Sequence, residues 1–319
     1  MSSDITILML GGAKRVAIAE QLIRAGKNME KNVRIYSHEL SPFEPIASVG
    51  KIIVGGKYSD LGSVEDICDI IKTYKVDIVL PFIDPAIEIA AECKLKFPNL
   101  CIPVSSIDVI RAMFDKVQAA RWFEKHNIAI PQTYTPQNIK FPAIFKPRTG
   151  SASHGIIIAT NKAKFDEIED IDNYLIQEYI SNREEYTVDC YVGMSDNEIK
   201  CTVPRIRLAT AGGEVIRTQT CRIPQLISLS ENVLKALDLR GAITLQFIYD
   251  KDTSKFLLME INPRLGGGVI CSIMAGADIA KMIIQESLNE EVAPCRVWRD
   301  GALMARYFKE VMFYNDGIK

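Results

Sequence analysis

Apolar and polar positions along this chain switch between a period of two and a period near 3.6, and the switches mark out its elements. Residues 4–10 (DITILML) are a short apolar run that stops at Gly11-Gly12, after which Val16, Ala19, Leu22 and Ile23 recur at helical spacing. Apolar runs return at 33–36, 51–54 and 77–80, with a helical pattern over 64–74 between the last two. Strands alternating with helices predict a parallel, Rossmann-like sheet.

Around residues 103–106 the pattern changes, which marks a domain boundary. A helix over 115–126 buries Val117, Ala120, Trp122 and Phe123 and ends at His126, whose expected role is structural. A strand carrying Lys146 follows, then a Gly/Ser loop over 147–155 and a returning strand at 156–159. Further strands fall at 174–180, 186–192 and 200–208. Ser228 and Glu231 read as an S-x-x-E capping box that opens a helix to about Leu237. The run 242–249 then pairs with the stretch from Phe256 as a hairpin, a helix covers about 279–288, and 296–311 supplies a closing strand. The fold class is therefore α/β with an N-terminal Rossmann-like domain at 1–104 and a second domain at 105–319. The second domain divides into a small lobe at about 130–182 and a C-terminal lobe at about 183–319.

Composition narrows the function classes. At 319 residues the chain exceeds what one compact core serves well. A formal charge of -2 and a pI near 6.0 argue against nucleic acid as a partner. No apolar stretch reaches 18 residues, so no membrane partner is expected. Eight cysteines without a CxxC pair read as reduced thiols. With no secretory pattern at the N-terminus, they imply a cytoplasmic protein.

The most informative stretch is 256–268, FLLMEINPRLGGG. Glu260 and Asn262 stand two apart at the end of an apolar strand, so both point to one face. Pro263 ends the ladder, Arg264 adds a fixed charge, and Gly266, Gly267 and Gly268 allow close backbone approach. Pairing Asp250 with Phe256 across the turn puts Gln246 directly opposite Glu260, a three-oxygen set suited to a divalent ion.

Other residues leave alternatives open. The loop from Arg148 to Gly155, with Ser151 and Ser153, is either a lid over a polyphosphate or an ordinary hairpin. It is not a Walker A loop, because GxxxxGK[ST] is missing. Glu178 and Glu185 flank a polar turn and are either catalytic or solvated carboxylates. Arg205 and Arg207 share a strand face that suits phosphate or carboxylate as well as it suits solvent. Lys116 faces solvent or a ligand. Gly11-Gly12 does not spell GxGxxG and favours a tight packing turn over a dinucleotide site. Asp84 is either a helix cap or a ligand contact at the carboxyl end of a strand.

Taken in order, Lys146, Glu178, Glu185, Gln246, Glu260, Asn262 and Arg264 resemble the ATP-grasp superfamily, and most nearly the ATP-binding half of carbamoyl phosphate synthetase large subunits and related carboxylate-amine ligases. The resemblance implies a preATP-grasp domain at 1–104 followed by a two-lobed ATP-grasp domain. It implies ATP contacts at Lys116, Lys146, Arg148, Ser151, Ser153 and Gly155, an adenine hinge at Glu178, Tyr179 and Ile180, and a ribose ligand at Glu185. Two magnesium ions, with Mn2+ as a substitute, would be held by Gln246, Glu260 and Asn262. Arg264 and Arg205 would act on the transferring phosphoryl group and the substrates. The implied activity joins a small-molecule carboxylate to an amine (or thiol) through an acyl phosphate, releasing ADP and phosphate, with a homodimer as a family-level expectation. A carbamoyl phosphate synthase-like subunit or an ATP-binding regulator is the alternative. Gln246 departs from the pattern, since many such ligases carry an acid there, and His154 has no implied role.

Overall fold

In the computed structural model, which describes residues 4–150 and 154–314, three sheets follow one another along the chain. The first is parallel and contains β1 (Asp4–Leu10), β2 (Asn32–Glu39), β3 (Lys51–Val54) and β4 (Ile78–Pro81), in the order β3-β2-β1-β4. The helices α1 (Val16–Asn28), α2 (Ser63–Tyr74) and α3 (Asp84–Lys96) lie against it. Period-two alternation along β1 feeds two cores, as expected of a sheet covered on both faces. Ile5, Ile7 and Met9 pack with Ile18 and Leu22, whereas Leu8 and Leu10 pack with Ile67, Ile71 and Ile87.

At the end of β1, Gly11 turns with φ +70°, a conformation that favours glycine. Glu39, buried at the end of β2, has its pKa raised by that burial, which hydrogen bonds from Ser37 Oγ (2.5 Å) and the backbone of Ala13 and Gly12 oppose only in part. An added Cβ at Gly12 would lie 2.8 Å from Ser37 Oγ and 3.0 Å from Met9, as in a tight packing turn.

Two helices, α4 (Ile107–Phe114) and α5 (Lys116–Lys125), lead to the second sheet. Asp115 caps α5, accepting from the backbone N–H groups of Val117 and Gln118. The second sheet is antiparallel and runs β5-β8-β6-β7, from β5 (Thr133–Tyr134), β6 (Ala143–Pro147), β7 (Ile157–Ala159) and β8 (Tyr174–Glu178). A short helix, α6 (Lys162–Asp166), follows β7.

The third sheet has the order β13-β12-β9-β10-β11-β14 and is antiparallel throughout. Its strands are β9 (Arg183–Val192), β10 (Ile199–Ala211), β11 (Glu214–Thr220), β12 (Gly241–Asp250), β13 (Lys255–Asn262) and β14 (Leu303–Ala305). Its helices are α7 (Pro224–Ala236), α8 (Val269–Met274) and α9 (Ile279–Ser287). One face buries Val188, Leu245, Phe247, Leu258 and Ile261 in a shared core. The other carries the polar residues discussed below.

Three expectations from the sequence need correction. The helix expected to open at Ser228 begins at Pro224, where proline's fixed φ suits the first helical position, and Ser228 lies inside it. The closing strand expected over 296–311 is only Leu303–Ala305. Asp84 is not a helix cap: it stands within the first turn of α3 and forms an ion pair with Arg264 (3.3 Å).

Candidate active site

Residues directly opposite in an antiparallel ladder share a face, so the register of the third sheet lays out its polar face in rows. One row is Leu257, Ile248 and Glu185; the next is Glu260, Gln246 and Thr187; the third is Asn262, Thr244 and Asp189. Along this face an apolar patch of Ile180, Ile248, Leu257 and Met259 gives way to the oxygen donors of Gln246, Glu260 and Asn262.

The hairpin reaches this arrangement by an irregularity. Asp250 pairs with Lys255, not with Phe256, and a register shift between Gln246 and Phe247 then leaves Met259 without a direct partner. This extra residue is a β-bulge, and it returns Glu260 to the position opposite Gln246. The pairing expected from the sequence is observed, although the turn assumed for it is not.

The donors are lightly engaged. Gln246 Oε1 accepts from Arg207 at 3.4 Å, and Asn262 Oδ1 accepts from Arg264 at 3.3 Å. Both bonds are long. Among the described residues no group of three or more His, Cys, Asp or Glu side chains could hold a metal. One carboxylate with two amide oxygens does fit magnesium, which takes oxygen ligands and completes its shell with phosphate and water.

Positive charge surrounds the donors. Lys146 is buried, donates to Gln177 Oε1 (2.9 Å), and has its pKa lowered to about 8. Burial is the main cause; Glu260 opposes it, and Lys116 and Arg183 add to it. Glu185 accepts from Arg183 Nε (3.1 Å) and lies 3.6 Å from Arg207 Nε, a buried donor with no hydrogen-bond partner among the described residues. Water, a ligand or a small approach of Glu185 would satisfy such an atom.

Several residues named from the sequence are already tied to one another. Lys116 donates to the Gly150 carbonyl (2.6 Å), and its backbone N–H donates to the Arg148 carbonyl (2.9 Å). Arg148 in turn pairs with Asp115 (2.6 Å). Gly155 has φ +70°, and Ser151 and Ser153 lie outside the described residues. Glu178 Oε1 accepts from the backbone of Gln132 (2.8 Å), the backbone N–H of Tyr179 donates to the Pro142 carbonyl, and Arg183 stacks over the Tyr179 ring.

Arg205 departs from expectation. Its side chain is 1% exposed, its Nε and Nη2 donate to the two oxygens of Asp189 (2.7 and 3.0 Å), and its Nη1 donates to Thr218. Gly268 covers it so closely that an added Cβ would lie 2.7 Å from Nη1. A guanidinium enclosed and paired in this way supports the glycine turn. Arg207, two residues on, is the one that reaches the donor set. Burial, not strand face, separates the two, and the signal available in the sequence was Asp189, the one acid in the run 186–192 (YTVDCYV).

Comparison with known proteins agrees with this geometry. A family model described as "ATP-grasp in the biosynthetic pathway with Ter operon" matches residues 170–309. D-alanine–D-alanine ligase of Rickettsia bellii (strain RML369-C) is 26% identical over 293 residues, covering 83% of this chain and 87% of the relative. Among solved structures, N5-carboxyaminoimidazole synthetase from Staphylococcus aureus complexed with ADP superposes with a TM-score of 0.72 at 16% identity, covering 92% of this chain and 80% of that one. Biotin carboxylase from Campylobacter jejuni, solved as a β,γ-ATP complex, gives 0.70 at 18% identity, with 88% and 70% covered. The family match over residues 170–309, the sequence likeness to these ligases and the shared fold all liken this chain to ATP-grasp proteins.

Proposed function

We propose that the protein is an ATP- and magnesium-dependent carboxylate-amine ligase that works through an acyl phosphate and releases ADP and phosphate. The observation that carries this reading is the row Glu260–Gln246, continued by Asn262 and Arg264, with Lys146 electrostatically coupled to Glu260. The similarity to D-alanine–D-alanine ligase, which by name joins two amino acids, supports it. In this reading 1–104 and 105–319 act as domains, and the segment 130–182 acts as the lid lobe.

Each residue then has a task set by its chemistry. Ile180, Ile248, Leu257 and Met259 offer an apolar floor for the adenine, and Glu185 accepts from the ribose hydroxyls. Lys116, Lys146 and Arg207 neutralise the phosphates. Gln246, Glu260 and Asn262 would hold magnesium, which when bound spreads the charge of the transferring phosphoryl group. Arg264, held by Asp84 from the first domain, meets the carboxylate being activated. A carboxylate oxygen attacks the γ phosphorus as the bond to ADP breaks. The amine nitrogen then attacks the acyl carbon, loses a proton, and phosphate departs. The loop after Lys146 would keep water from the acyl phosphate.

The test is substrate-dependent ADP release from ATP and Mg2+ across a panel of carboxylates, with hydroxylamine added to trap an acyl phosphate as a hydroxamate. Hydroxamate that forms only with ATP and one class of carboxylate supports the reading. ADP release that no carboxylate stimulates contradicts it.

A further inference from the structure

Past Arg264 the glycine turn runs beneath two guanidinium groups from distant parts of the chain. An added Cβ at Gly267 would lie 2.8 Å from Arg306 Nη2 and 2.9 Å from Arg15 Nη1. Arg15 stands between the Gly11-Gly12 turn and α1, and Arg306 directly follows β14. Both pair with the same carboxylate: Arg15 Nη2 lies 3.1 Å from Glu214 Oε1, and Arg306 Nη1 lies 2.7 Å from Glu214 Oε2. Arg306 also donates to the Gly267 carbonyl. Arg264 is near enough to weigh on the charge of Arg15, and its own carboxylate partner is Asp84.

Three guanidinium groups therefore share two carboxylates. Arg15, Arg264 and Arg306 are only 17%, 16% and 29% exposed, so water screens the surplus charge poorly. A tie between the first domain and the C-terminal segment needs one arginine and one acid. A second arginine on the same acid adds repulsion unless another anion completes the cluster. Guanidinium groups present paired donors that match a carboxylate. In the ligase reading the nucleotide phosphates already have Lys116, Lys146 and Arg207.

We propose that Arg15 and Arg306 form a subsite over Gly267 that binds a second carboxylate of the substrate, one that does not react, beside the carboxylate activated at Arg264. This rests on the ligase reading above and narrows its substrate class. The second carboxylate belongs either to a dicarboxylic acid that is activated at its other end, or to an amino acid that serves as the amine.

Calorimetric titration with Mg2+ and a non-hydrolysable ATP analogue present would compare succinate with its monoamide, and alanine with alaninamide. In one of the two pairs the acid is expected to bind at least about tenfold more tightly than the amide. Succinate's preference would place the carboxylate on the donor, and alanine's on the amine. Arg306→Gln and Arg15→Gln should each reduce that preference below about threefold while nucleotide affinity stays as in the wild type. Arg306→Lys, which keeps the charge, should retain part of it and guards against a variant that fails to fold. A preference that survives both glutamine substitutions overturns the subsite, as does equal or absent binding of acid and amide in both pairs. Failure of the wild-type protein to bind the ATP analogue would instead remove the ligase reading, and acid against amide would still decide the subsite.

Discussion

Gln246 faces Glu260 across the β12–β13 ladder only because Met259 is an extra residue in β13. Continuing the register set by Asp250 and Lys255 would pair Gln246 with Met259 and turn Glu260 toward the core face that holds Leu245 and Phe247. The bulge thus does two things at once: it keeps Phe256, Leu258 and Ile261 in the core, and it sends Glu260 and Asn262 to the polar face.

Gln246 supplies a neutral oxygen where an acid would bind a divalent ion more strongly. Gln246→Glu is expected to lower the Mg2+ concentration for half-maximal ATP turnover by about threefold to tenfold, because a charged ligand raises affinity. Arg207, 3.4 Å away, offsets the added charge. A magnesium titration of both proteins checks this, and an unchanged midpoint would argue that Gln246 is no ligand.

Lys146 makes the site sensitive to pH. Its pKa of about 8 lies below the ordinary 10.5, so the folded state disfavours its charge. Below pH 8 the amine is charged in folded and unfolded chains alike, and the burial penalty is fully present. Between about 8 and 10.5 only the unfolded chain keeps the proton, and this group's penalty is relieved by up to roughly 3 kcal/mol. The stability of wild type relative to Lys146→Met should therefore rise over that range in urea melts. Bound phosphates favour the charged amine, so ATP binding near pH 8 should take up a proton, visible as a buffer-dependent binding enthalpy that Lys146→Met lacks.

Arg205 and Arg207 should separate stability from activity. Asp189→Ala strands the enclosed guanidinium of Arg205 and is expected to cost about 3–5 kcal/mol of stability. Arg207→Met should leave the melting temperature within a few degrees of wild type and lower turnover by about tenfold to a hundredfold. Paired thermal melts and ADP-release assays test both, and the reverse pattern would exchange the two roles.

Asp115 joins the cap of α5 to Arg148 at the base of the loop. Asp115→Ala should destabilise the protein by about 1–2 kcal/mol, chiefly through the lost cap, with a smaller share from the half-buried ion pair. The same variant frees Arg148 and should speed limited proteolysis after Arg148. Unchanged cleavage would mean that the ion pair does not hold the loop.

Much of this was legible in the sequence because it depends on local pattern. The βα alternation of the first 96 residues follows from the placement of apolar positions, whereas the pairing of Gln246 with Glu260 was reached through an Asp250–Phe256 turn that the structure replaces. The bulge itself had a signal: Phe256 and Leu258 are spaced by two, whereas Leu258 and Ile261 are spaced by three, as happens when a core-facing strand carries an extra residue. What pattern could not give was which polar residues would be enclosed. Arg205 and Arg207 are alike in strand position, and only the glycine turn folding over one of them, with Asp189 beneath, separates their roles. Likewise Arg15, Glu214 and Arg306 come from three separate segments, and nothing in their spacing brings them together.

The central claim is that Glu260 anchors a magnesium–nucleotide complex, and binding tests it without any knowledge of the substrate. A non-hydrolysable ATP analogue would be titrated into wild type and Glu260→Ala, each with Mg2+ and with EDTA. The wild type should bind at least about tenfold more tightly with Mg2+, and the variant should lose that dependence while keeping its melting temperature. Equal magnesium-dependent binding by both proteins would contradict the claim.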